Sequence, residues 1–189
     1  MTPATSRDTG PFPRTRPVPA LAVRAAVLLI VGGLASIMTA WGFQLIGGYV
    51  PCKLCLEQRI PYYVGLPLAV LALALMLGGA AGSVRRTAAM LLLLAVGAVF
   101  AYGAALGIYQ AGAEWGFWAG PSDCGGGTAA PGSAANMLNA LRSTRVVSCT
   151  EASWRMFGLS FAGWNAVISA GLALLALAAA AALRRGTSS

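Results

Sequence analysis

The sequence predicts an all-α integral membrane protein: a four-transmembrane-helix bundle with a long outward loop that contains a short amphipathic helix. Three observations predict it. The 189-residue chain is 58% hydrophobic and only 10% charged, whereas soluble chains carry about 25% charged residues. Its charges fall in clusters that leave four uncharged windows, 25–52, 60–84, 87–113 and 156–183. Each window exceeds the roughly 20 apolar residues that a helix needs to cross a bilayer core. The apolar runs are continuous, not alternating, so helices and not barrel strands satisfy the backbone in lipid.

The spans are expected at about 25–48, 61–81, 88–111 and 161–183, within a membrane domain of residues 21–185. Arginine and lysine orient them. The side holding both termini and the 81–87 turn carries a net +7, against +1 on the other side, in accord with the overall +8. Both termini are therefore expected in the cytoplasm. The basic surplus is a topology signal and calls for no nucleic-acid partner. Residues 1–20, rich in Pro, Thr and Arg, read as a disordered cytoplasmic tail, and 186–189 as a second short one. The first apolar run is too long for a cleaved signal peptide and reads as an uncleaved anchor. Gly32, Gly33, Gly47 and Gly48 suit close helix approach, although small residues are also simply common in such helices.

Two outward segments remain, about 49–60 and 112–160. The short one must hug the membrane surface. The long one opens with Trp115, Phe117 and Trp118 and returns past Trp154 and Phe157, which fits an interfacial aromatic belt. Within it Ala134, Met137, Leu138 and Leu141 share one helical face, and this predicts the amphipathic helix, lying on the bilayer.

All four cysteines fall in these outward segments: Cys52 and Cys55 in the short loop, Cys124 and Cys149 in the long one. Outside the cytoplasm disulfides persist. A Cys124–Cys149 bridge would close a loop of about 25 residues and stabilise it by roughly 3–4 kcal/mol. A bridge between Cys52 and Cys55 constrains too little chain to serve as a staple, and Cys-x-x-Cys suits redox chemistry better. Lys53 sits between the two thiols. If 55–59 form one helical turn, Arg59 lies over Cys55 and the helix start adds positive potential. Glu57 and Gln58 read as interfacial polar residues. The chain has no histidine, which excludes His-ligated haem, His-containing zinc sites and imidazole-based triads. A c-type haem would need His where Leu56 stands, and a zinc ribbon would need two close knuckles; an iron–sulfur cluster is disfavoured, though spacing alone does not exclude it.

Three stretches carry a resemblance: Cys52-Lys-Leu-Cys55-Leu-Glu-Gln-Arg59-Ile-Pro-Tyr-Tyr63, Glu114-Trp-Gly-Phe-Trp-Ala-Gly-Pro-Ser-Asp-Cys124, and Gly158-Leu-Ser-Phe-Ala-Gly-Trp-Asn165 after Cys149. Together with four spans they resemble the disulfide bond formation protein B (DsbB) family over about residues 25–183. The resemblance implies a thiol oxidase of the bacterial inner membrane that faces the periplasm and passes electrons to ubiquinone or menaquinone. It implies that Cys124 forms a mixed disulfide with a DsbA-like thioredoxin-fold partner and that Cys149 is its disulfide mate. It further implies that Cys52 and Cys55 re-oxidise the outer pair, that Cys55 faces the quinone as a thiolate, and that Arg59 polarises a quinone oxygen.

This division of labour suits the chain. A lipid-soluble quinone arrives at the membrane plane, where the short loop lies. A water-soluble partner needs a thiol on a segment that reaches outward, and Cys124 precedes Gly125, Gly126 and Gly127. Two positions depart from the family's usual pattern: Gln110 stands where many relatives carry histidine, and Lys53 where an apolar residue is frequent. Two other readings remain open. A vitamin K epoxide reductase-like oxidoreductase also joins a helical bundle, Cys-x-x-Cys and quinone, but carries its redox pair later in the bundle. A non-enzymatic membrane protein with two structural disulfides is the other reading, and the lack of intramembrane charges disfavours a pump.

Overall fold

In the computed structural model, the described residues are 18–78, 82–120, 145–146, 151–152 and 154–188. The expected amphipathic helix, the N-terminal tail to residue 17, and both Cys124 and Cys149 lie outside them. Four long helices form the body: α1 (Ala20–Leu45), α3 (Ile60–Leu77), α4 (Ser83–Glu114) and α5 (Phe161–Ser188), with the short α2 (Lys53–Glu57) preceding α3. Among the described residues, four helical segments are long and apolar enough to cross a membrane, Ala20–Leu45, Lys53–Leu77, Ser83–Glu114 and Phe161–Arg185. The chain is thus a multi-pass membrane protein of the predicted class.

The helices close a ring in which α1 packs on α3 and α5, and α4 packs on α3 and α5. The α4–α5 seam is the most extensive, because small residues let the two backbones approach. A Cβ on Gly107 would stand 2.8 Å from the Ala166 backbone nitrogen and 2.9 Å from the Ala162 carbonyl oxygen. Close approach recurs at Gly33, where a Cβ would meet Leu66 Cδ2 at 2.7 Å. The core has two layers. At the end of the bundle where α1 starts, Ala22, Ala26, Leu93, Ala179 and Leu183 interlock, and mid-bundle Leu29, Leu66, Val96, Phe100 and Leu172 do so. In lipid such seams are held by van der Waals packing, not by a hydrophobic force. Buried Arg86 ties α4 to α5, donating from Nε (3.1 Å) and Nη2 (2.9 Å) to the Leu183 carbonyl. Pro67 sits inside α3 without ending it.

Among the described residues, four short strands gather at the end of the bundle that holds Cys52 and Cys55. β1 (Tyr49–Val50) pairs in parallel with β2 (Arg145–Val146), and β3 (Arg155–Met156) pairs antiparallel with β4 (Leu159–Ser160). The β1–β2 pairing joins the short outward segment, just ahead of Cys52, to the long one, just ahead of Cys149 in sequence.

Candidate redox site

α1 ends at Leu45, and the chain turns through Gly48, at φ +67°, into β1 and then α2. Cys52 is the N-cap of α2, and its Sγ accepts the Cys55 backbone N–H at 3.3 Å. The three-residue spacing brings both sulfurs to one side of this turn, 2.9 Å apart, with both cysteines free. Cys52 is fully buried beside Leu54 and Leu106. Its thiol donates to Cys55 Sγ, and this bond, with burial second, pushes its pKa far above the ordinary 9.0. The proton of the pair therefore resides on Cys52, and Cys55 Sγ is the acceptor. Lys53 is exposed.

Cys55 Sγ receives a second donor from the bundle. Gln110 Nε2, on α4, stands 3.6 Å from Cys55 Sγ, 3.9 Å from Cys52 Sγ and 3.5 Å from Glu114 Oε1. Gln110 Oε1 accepts from Gln58 Nε2 at 2.6 Å, and Gln58 Oε1 accepts from Asn165 Nδ2 at 2.7 Å. Asn165 Oδ1 accepts the Tyr62 hydroxyl at 2.8 Å, and that hydroxyl also lies 3.3 Å from Ser169 Oγ. Four elements thus contribute to one polar chain through an apolar bundle. A buried amide left without partners costs about 1–3 kcal/mol, so its members hold one another in place.

Beside this chain lies a cavity of about 670 Å³, within the range of ligand sites. Ala35, Ile37, Phe43, Phe161 and Ile168 supply apolar wall; Cys55, Gln58, Arg59 and Asn165 supply polar wall. Arg59, only 9% exposed, directs Nη1 to Gln44 Oε1 (2.6 Å) and Nη2 to the Ala40 carbonyl (3.5 Å). Its guanidinium also sits 5.3 Å from the centre of the Trp41 ring, a cation–π distance.

Arg59 corrects one expectation. Residues 55–59 do not form a single helical turn: α2 stops at Glu57, Gln58 caps it, and Arg59 caps the start of α3. The guanidinium turns to α1, away from the axis over Cys55, and the two residues meet as neighbours on the cavity wall. Pro61, at the start of α3, explains the break, since it cannot donate to a continuing helix. Gln58 corrects another, being buried within the polar chain and not interfacial. Trp154 also does more than mark an interface: it stacks on Phe161 at 5.1 Å and lines the cavity. Asn165, Tyr62 and Glu114 were not singled out for chemistry from the sequence. The available signal was polarity inside, or at the edge of, otherwise apolar windows.

The chain was compared with known proteins. Neither the curated proteins nor the solved structures searched gave a match. A family model described as "Disulfide bond formation protein DsbB" matches residues 22–179, which includes all four cysteines, Arg59 and nearly the whole bundle. With a free dithiol at one end of four helices able to span a membrane, the chain belongs to the DsbB family and so to the membrane proteins of disulfide bond formation.

Proposed function

We propose that this protein is a quinone-dependent protein thiol oxidase of a bacterial inner membrane, re-oxidising a DsbA-like periplasmic thioredoxin-fold protein. The observation that carries the proposal is that Cys55 and Arg59 share the wall of one mostly apolar cavity. A quinone fits that donor set: its ring and tail suit the apolar wall, and its carbonyl oxygens suit an arginine donor. When bound, a quinone supplies an acceptor for two electrons and two protons. Arg59, fixed by Gln44 and the Trp41 ring, would hold a carbonyl oxygen. Cys55 would present its sulfur to that ring while Cys52 retains the proton of the pair. Closing the Cys52–Cys55 bond from this thiol–thiolate pair releases two electrons and the Cys52 proton, and the second proton the acceptor needs comes from water.

Cys124, whose disulfide mate is Cys149 in the family's pattern, would form the mixed disulfide with the partner and release Cys149 as a thiol; the partner's second thiol would then displace Cys124 and leave the partner oxidised. Exchange then needs a sulfur of the outer pair to meet one of the inner pair. The β1–β2 pairing supports this, because it ties the segments leading to Cys52 and Cys149 together. The arginine asymmetry supports cysteines on the periplasmic side and both termini in the cytoplasm.

The test is reconstitution with a quinone and a reduced thioredoxin-fold donor. Wild-type protein oxidises the donor only with quinone present. Cys124→Ser stops donor oxidation while the inner dithiol still reduces quinone. Donor oxidation by Cys124→Ser at the wild-type rate would overturn the assignment.

A further inference from the structure

The polar chain behind the dithiol has a direction. Each amide in it shows its NH2 group toward Cys55 and its carbonyl toward Tyr62: Gln110 gives to sulfur, Gln58 to Gln110, and Asn165 to Gln58. An amide can be turned end for end, so something must choose the sense. Tyr62 does not fix it, since a hydroxyl both gives and accepts.

Glu114 does. An ionised carboxylate only accepts, and Gln110 Nε2 lies 3.5 Å from its Oε1. Its Oε2 is buried with no hydrogen-bond partner among the described residues, so turning the Gln110 carbonyl toward it would add repulsion to an already under-satisfied group. With the Gln110 NH2 pinned between carboxylate and sulfur, its carbonyl must face Gln58, and the sense passes on to Asn165 and Tyr62. Reversing the chain would remove the bundle's donor from Cys55 and aim an oxygen lone pair at it.

We propose that Glu114 sets the sense of this chain, and that Gln110, Gln58 and Asn165 are positioning residues that hold a hydrogen-bond donor on Cys55 Sγ. The inference rests on the thiol-oxidase reading for its purpose and deepens that reading at the same site. Among the described residues, the ionisable groups near this site include Cys52 and Lys53 on α2, Tyr49, Arg59 and Tyr62 on the cavity wall, and Arg155 on β3, whose Nη2 lies 3.5 Å from the Glu114 backbone carbonyl. From α5 the chain receives only neutral groups, Asn165 and Ser169.

The experiment reads the rate at which iodoacetamide alkylates Cys55 between pH 5 and 9, in full-length reduced protein with Cys124 and Cys149 replaced by Ser. Two accounts of Glu114 predict opposite signs. A nearby negative charge merely disfavours a thiolate, so on that account isosteric Glu114→Gln speeds alkylation near neutrality. On the present account Glu114→Gln frees the Gln110 amide to turn, the donor is lost, and alkylation at pH 7 slows about tenfold. Asn165→Leu, which changes no charge and does not touch Cys55, slows it in the same direction, and melting temperatures monitor folding. Faster or unchanged alkylation in Glu114→Gln, or an unchanged rate in folded Asn165→Leu, overturns the proposal. Quinone reduction by the same Cys124- and Cys149-free protein is measured in parallel. Its absence would refute the thiol-oxidase reading, while the alkylation rates decide the role of Glu114 by themselves.

Discussion

Gln110 Nε2 stands 3.6 Å from Cys55 Sγ, so a helix fifty-five residues further along the chain supplies a donor to the dithiol of the short outer loop. Cys52 supplies the other from 2.9 Å. The two sulfurs of one Cys-x-x-Cys are thereby made chemically unequal.

The inequality has a pH signature. The Cys52 pKa is raised, so this thiol stays protonated as pH climbs through the ordinary value of 9.0, and only the thiolate reacts. Alkylation of the reduced protein at pH 8, followed by peptide mass analysis, should label Cys55 and spare Cys52. Labelling of Cys52 should stay slow at pH 9. Equal labelling of both would contradict the hydrogen-bond assignment.

Arg59 is fixed as a planar fork between Gln44 and the Trp41 ring. Lysine keeps the charge but loses that geometry. Arg59→Lys should therefore lower kcat/KM for quinone by roughly tenfold, corresponding to one charge-assisted hydrogen bond. Gln44→Leu, which removes only the anchor, should cost about threefold. Steady-state quinone reduction at several quinone concentrations checks both.

The α4–α5 seam predicts where small residues matter. At Gly107 a Cβ would press on backbone of α5, which cannot turn aside. Gly107→Ala should destabilise by about 1–3 kcal/mol. Gly33→Ala should cost less, because its neighbour is the end of the Leu66 side chain. Gly42 faces open space with nothing within 4 Å, so Gly42→Ala is expected to be neutral or slightly stabilising. Thermal melting in one detergent orders the three.

The sidedness proposed from the arginine distribution is open to direct labelling. In spheroplasts, a membrane-impermeant maleimide should reach a cysteine placed at exposed Lys53 from outside, in a background free of other thiols. A cysteine at exposed Val84, in the first turn of α4 at the end shared with the termini, should be labelled only after lysis. The reverse pattern would invert the proposed topology.

The bundle was legible in the sequence because charge-free windows directly report the cost of placing charge in lipid. The nearness of Cys52 to Cys55, and of Cys55 to Arg59, was legible through their spacing. The direction of Arg59 was not. It depends on a break between α2 and α3 that Pro61 imposes and on Gln44, fifteen residues earlier on another helix. The polar chain was hidden for a similar reason. Gln58, Gln110 and Asn165 are far apart in sequence, and only the packing of the α2 end against α4 and α5 brings each amide within 3 Å of the next. Helical periodicity marks which face a residue occupies; it does not say which polar groups will meet across a bundle.

The central claim is that electrons leave the chain through Cys55. It is tested most directly by a single turnover: reduced protein lacking Cys124 and Cys149 is mixed with quinone, and loss of quinone absorbance is followed. One quinone should be reduced for each Cys52–Cys55 pair, and none when Cys55→Ser is added. Quinone reduction by that Cys55→Ser protein at an undiminished rate would contradict the account.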